Sequence, residues 1–183
     1  MMMEAASNWG PDLDELLALF PASGSPWFAS EIVPADAVPP PYRSLLVHDY
    51  HMTVTVEAFH GDIVDVRILA DRRDGDSYAR QILLALRGSG RVVQFGIMRI
   101  HLRYCAPAVR AEILAGQTPL GRILIKHEIL RRIEPTAFLR VTPGPDMMTW
   151  FGLEQPRPTY GRLALIHCDG RRAVELLEIV APD

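Results

Sequence analysis

The sequence predicts an α+β domain built on an antiparallel sheet, and three features carry that expectation. Two long β-rich runs, residues 78–86 and 91–102, are joined by Arg87-Gly88-Ser89-Gly90, a hairpin signal. A second pair, residues 159–168 and 172–180, flanks Asp169-Gly170, a dipeptide that favours tight hairpin turns. Helix signals are grouped before and between these hairpins instead of alternating strand by strand, so a parallel βαβ sheet is not expected.

The elements follow in order. Asp12 is suited to cap a short helix through Phe20, with Asp14 and Glu15 in its first turn and Pro21 ending it. Residues 21–41 contain six prolines and read as an ordered, irregular connection closed by Pro39-Pro40-Pro41. Over residues 42–60, Leu45, Leu46, Met52, Val56 and Phe59 keep helical spacing, although Thr53-Val54-Thr55-Val56 has strand propensity. A helix closed by Gly61 is the expected outcome. Residues 63–69 alternate as a strand, and residues 72–76 form a turn. Pro107 opens a helix to about Gly116, and Pro119 opens another to about Leu130. Residues 138–141 read as a strand, and residues 143–158 as a loop holding Trp150 and Phe151. The domain is expected over residues 42–183, with residues 1–41 a helix and Pro-rich extension packed on it.

The 183 residues suit one domain with one core, and 49% hydrophobic against 22% charged residues excludes intrinsic disorder. Nineteen Lys+Arg against 22 Asp+Glu give a net charge of −3 with no basic block, which is no nucleic-acid footprint. Lys126 is the single lysine, and arginine is the cation better suited to bidentate carboxylate recognition. Cys105 and Cys168 cannot form a disulfide framework and read as free thiols of a reducing compartment. The first residues lack the pattern of a signal peptide, and no apolar run reaches membrane-spanning length. A cytoplasmic protein is therefore expected. His48 and His51 have no nearby Cys or acidic pair to complete a zinc site, and no phosphate-binding glycine loop appears, so neither metal nor cofactor is expected.

Arg80 and Glu178 stand out. Strand alternation places Arg80 with Ile82, Leu84 and Leu86, and Glu178 with Val174, Leu176 and Val180. A charge on an apolar face needs a partner, because burying it alone is costly. Either Arg80 snorkels out at an edge, or the two are ion-pair members, with each other or with other side chains, or they aim into a site. Gly121, one turn into the helix opened by Pro119, would permit close approach of a backbone or a ligand.

Four segments, taken together, resemble the chorismate lyase (chorismate pyruvate-lyase) family, including its DUF98-like branch. They are Leu45-Leu46-x-x-Asp49-x-x-Met52-Thr53, Arg80-Gln81-Ile82-Leu83-Leu84, Thr118-Pro119-Leu120-Gly121-Arg122 and Glu178-Ile179-Val180-Ala181-Pro182, in family order over residues 42–183. The resemblance implies an antiparallel sheet of about six strands, helices on one side, and helical flaps over an enclosed ligand. It implies catalytic roles for Arg80, gripping a ring carboxylate, and Glu178, at the oxygen-bearing end. Met52 and Leu120 would form walls of the substrate site beside Gly121. The family's Gly-Arg pair after the first hairpin is absent, and Arg99 is the arginine available in its place.

The function so implied is a cofactor-independent lyase that eliminates pyruvate from chorismate to leave 4-hydroxybenzoate. Arg80 would contribute about 1.5–3 kcal/mol per charge-assisted hydrogen bond to the substrate anion. The alternatives are a non-catalytic sensor or accessory protein that binds a small aromatic acid on the same fold, or a lyase of a related enolpyruvyl ether. The expected partner is a small molecule, with no nucleic acid or membrane, in a monomer or a dimer.

Overall fold

A computed structural model describes residues 10–183; residues 1–9, which bear on the signal-peptide expectation, lie outside the described residues. A seven-stranded sheet runs in the order β1-β5-β6-β7-β4-β3-β2, with every neighbouring pair antiparallel. The strands are β1 (Phe28–Val33), β2 (Val64–Asp74), β3 (Ser77–Leu86), β4 (Val92–His101), β5 (Arg131–Pro143), β6 (Thr159–Cys168) and β7 (Arg171–Val180). Two three-stranded meanders, β2-β3-β4 and β5-β6-β7, join edge to edge through the β4–β7 pair. The architecture is the expected single-domain α+β fold.

Three of the differences from the sequence reading have visible tertiary causes. The first is β1, which adds a strand beyond the expected six by pairing along β5 from Phe28↔Pro143 to Val33↔Phe138. The second is β5 itself, which starts seven residues before the expected strand at Arg131. Pro135 lies inside it and removes a ladder donor. The register shift between Pro135 and Ala137 absorbs that loss. The third is the expected helix over residues 42–60, which divides into α2 (Tyr42–Leu46) and α3 (Met52–His60). The carbonyls of Leu46, His48 and Tyr50 in and beside the break accept from the Arg162 guanidinium instead of continuing a helical ladder.

The remaining helices are α1 (Leu13–Ala18), α4 (Pro107–Ala115), α5 (Leu120–Lys126) and α6 (Pro145–Phe151). As expected, Asp12 caps α1, its Oδ1 accepting from Glu15 N at 3.0 Å. Gly61 (φ 66°) and Gly116 (φ 69°) end α3 and α4 in the left-handed region that glycine adopts without a Cβ penalty. α5 stops at Lys126, short of Leu130, and α6 lies in the stretch expected to be loop.

Helices α2–α5 cover one face of the sheet. Leu46, Met52 and Val56 pack there on Leu84 and Val93, while Ile113, Ile123 and Leu124 pack on Met98, Ile100 and Leu176. The opposite face carries α1 and α6, whose Leu16 and Met147 join Phe95, Ile97, Leu177 and Ile179. There Phe95 stacks on Trp150 with centroids 5.4 Å apart, and Trp27 lies 5.9 Å from Phe95. Both faces of the central strands are therefore covered by helices. Cys168 is buried and Cys105 half-buried, and both are free thiols; burial pushes the Cys168 thiol up to about 11. Among the described residues no helix is long and apolar enough to cross a membrane.

Candidate functional site

On the α2–α5 face the sheet and the helices leave a cavity with about 580 Å³ of empty space, part of it open to solvent. Its floor comes from β3, β4, β6 and β7. Its roof is the start of α3, at His51, Met52 and Thr53, together with the start of α5, at Pro119, Leu120 and Gly121. Ile82, Leu84, Met98, Ile133 and Leu176 make most of the wall apolar. The roof is closely fitted: a Cβ added to Gly121 would lie 3.1 Å from His51 Cβ and 3.2 Å from Thr53 Oγ1. Gly121 is thus what lets α5 approach α3.

Arg80, Glu178, Met52, Leu120 and Gly121 all line this one cavity. Arg99 does not. It sits on the other face of β4, with its Nε 2.5 Å from Glu175 and its Nη2 3.2 Å from Glu15 of α1, where it ties the first helix to the sheet. The substrate-contact role expected for Arg99 is therefore corrected.

Arg80 is 2% exposed. Its Nη2 makes a long contact of 3.4 Å to the Thr118 carbonyl, and its Nε and Nη1 have no hydrogen-bond partner among the described residues. Burial pulls its pKa down from the ordinary arginine value, opposed only by the neighbouring Tyr78 hydroxyl. Among the described residues no carboxylate acts on it. A guanidinium stays charged under such conditions, so the cavity holds an uncompensated cation.

Glu178 is not its partner. Glu178 Oε2 accepts from Arg162 Nε at 2.7 Å, and Arg162 is fully buried. The Arg162 Nη1 also donates to the carbonyls of Leu46 (3.2 Å) and His48 (2.9 Å), and its Nη2 donates to Tyr50 (3.1 Å). This arginine clasps the loop between α2 and α3 onto the sheet. The sequence reading missed it, although alternation puts it on one face with Ala164, Ile166 and Cys168, the signal that singled out Arg80. Its pairing was not legible. Counting back from the Asp169-Gly170 turn in strict register sets Arg162 opposite Leu177, and a shift between Ile166 and His167 brings it opposite Glu178.

At the roof, His51 Nε2 accepts from Arg131 Nε at 2.6 Å. Burial, then the charges of Arg131 and Arg162, push its pKa down to about 4, so it is neutral with the proton on Nδ1. A native pKa below the unfolded value of 6.5 stabilises the fold above that value. The stabilisation is lost as pH falls from about 6.5 towards 4, in all on the order of 3 kcal/mol. His48 and His60 shift in the same direction, chiefly by burial, and add to the same window. Urea unfolding of His51→Gln at pH 7 and pH 4.5 is expected to show a clearly smaller acid loss than wild type; equal losses would show that His51 is not held neutral. Among the described residues, no group of three His, Cys, Asp or Glu is placed to hold a metal ion.

No protein-family model matches the sequence, and no curated protein does. Solved structures do share its fold. PhnF from Mycobacterium smegmatis superposes with a TM-score of 0.55 at 13% identity, over 73% of this chain and 64% of that one. The chain thus spans slightly less than two thirds of that PhnF chain. The effector domain of PhnF gives 0.52 at 12% identity, covering 73% of this chain and 90% of the domain. The ligand-binding domain of a GntR-family transcriptional regulator from Bordetella bronchiseptica gives 0.50 at 15% identity, covering 66% and 86%. These neighbours include an effector domain and the ligand-binding domain of a GntR-family transcriptional regulator, and none of the three is a chorismate lyase, which overturns the assignment to that family. The four segments that carried that assignment are short and sit at strands and roof junctions of the fold itself. At such identities the likeness concerns architecture, and the chain has the fold of these ligand-binding domains.

Proposed function

We propose that this chain is a small-molecule-binding domain of the sensor kind, which takes a small monoanion in the cavity beneath α3 and α5 and performs no chemistry on it. One observation carries the reading: Arg80, 2% exposed, lines an apolar cavity with two of its three nitrogens unpartnered. An orphaned buried cation costs free energy in the empty protein, and an anionic ligand removes that cost on binding. The charge count favours a single negative charge, because Glu178 already neutralises the other buried arginine, Arg162. A carboxylate also matches the planar fork of the guanidinium.

Against catalysis stands the commitment of Glu178. A carboxylate that accepts from a fully buried arginine, which also anchors the roof loop, is engaged in holding the fold and is poorly placed to hand a proton to a leaving group. The likeness to effector and ligand-binding domains supports the same reading. Calorimetric titration with benzoate, pentanoate and inorganic phosphate, alongside incubation with chorismate, tests it. Saturable one-to-one binding of a carboxylate with no aromatic product is expected. Catalytic release of an aromatic acid, or no binding of any of these anions, would overturn it.

A further inference from the structure

A second buried polar group faces the cavity without a partner. Gln94 of β4 is 3% exposed, lines the cavity, and its Oε1 has no hydrogen bond among the described residues. Buried side-chain polar atoms are nearly always paired, so an orphan at a cavity wall points to a group that arrives with the ligand. Gln94, Gly96 and Met98 follow one another along the floor. Met98 lies opposite Arg80 on β3, Gly96 opposite Glu178 on β7, and Gln94 opposite Val180. Gln94 is therefore four residues from the Arg80 level, about 13 Å along the strand. Between the two levels Gly96 offers no side chain, and a Cβ there would sit 3.6 Å from Ile82 Cδ1 and 3.2 Å from the Leu177 carbonyl. Ile82 packs over Gly96, and the cavity lining carries both an unpaired cation and an unpaired amide.

Resting on the reading of this cavity as an anion site, we infer that Gln94 recognises a hydroxyl group on the bound molecule. The ligand class is then a small hydroxy acid whose hydroxyl lies away from its carboxylate. A hydroxyl both donates and accepts, so it satisfies the amide in either of its two orientations. A bare acid would leave Gln94 unpaired as it is in the empty protein.

Matched ligand pairs test this: benzoate with 3- and 4-hydroxybenzoate, and pentanoate with 5-hydroxypentanoate. Wild type is expected to prefer the hydroxyl-bearing member of at least one pair by about tenfold, the scale of one buried hydrogen bond. Gln94→Met should reduce that preference to below about twofold, with affinity for the unsubstituted acid unchanged. Because Gln94 makes no side-chain hydrogen bond among the described residues, the variant's melting temperature should be unchanged or higher. Gln94→Leu serves as a second variant if the first fails to fold. A wild type without preference, or a preference that survives both variants, overturns the assignment of Gln94 while leaving the anion site standing, provided that Arg80→Met weakens binding of the bare acids by about thirtyfold or more. Failure of every acid to bind wild type overturns both.

Discussion

Arg80→Met is expected to melt at or above the wild-type temperature while carboxylate binding weakens by about 2–5 kcal/mol, the range for deleting one partner of a buried charge pair. Methionine keeps the length of the side chain and most of its apolar contact but removes the charge. In the empty protein little is lost with it, because among the described residues Arg80 has no ion pair, one long contact to Thr118 O, and the Tyr78 hydroxyl beside it. The cost of an unsatisfied buried cation is lifted as well. Binding suffers because the ligand anion would enter an apolar cavity with nothing to meet it. Thermal melts and calorimetry on the one variant read both quantities. A variant that loses several kcal/mol of stability yet binds carboxylates as wild type does would show that Arg80 belongs to the scaffold.

Arg162→Met should behave in the opposite way, although both arginines are equally deep in the same face. Its removal strands the Glu178 carboxylate and frees the carbonyls of Leu46, His48 and Tyr50. Breaking a buried pair from one side costs about 3–5 kcal/mol, and urea unfolding should show a loss on that scale. Adding Glu178→Leu to Arg162→Met is expected to recover part of it, since the orphaned charge is then gone. A single variant within about 1 kcal/mol of wild type would show that the clasp contributes little to holding the roof loop. The contrast separates the two arginines: one is partnered by the protein, the other has no carboxylate partner among the described residues.

Local signals in the sequence were sufficient for a good part of this molecule. The hairpin turns at Gly88-Ser89-Gly90 and Asp169-Gly170, the Asp12 cap and the Gly61 and Gly116 helix ends all act within a few residues, and the structure shows each of them. Alternation likewise placed Arg80 and Glu178 on apolar faces of long strands, because side-chain direction in a strand depends only on parity. The same parity argument could have found Arg162 and Gln94, which share faces with Ile166 and Met98.

Tertiary structure decided the rest. Alternation could not tell the cavity face of β4 from the face that carries Arg99, because helices bury both and each reads as apolar. The partner of Glu178 depended on a one-residue shift in the β6–β7 ladder, and in a sheet a single residue of slip changes every facing pair. The start of β5, with Pro135 in its middle, and the exposed edge strand β1 have weak strand signals of their own; they form because a neighbouring strand offers a ladder to complete. The break between α2 and α3 has the same origin. Nothing in residues 42–60 forces it, and it exists because an arginine more than 100 positions away takes the carbonyls that a continuous helix would have kept for itself.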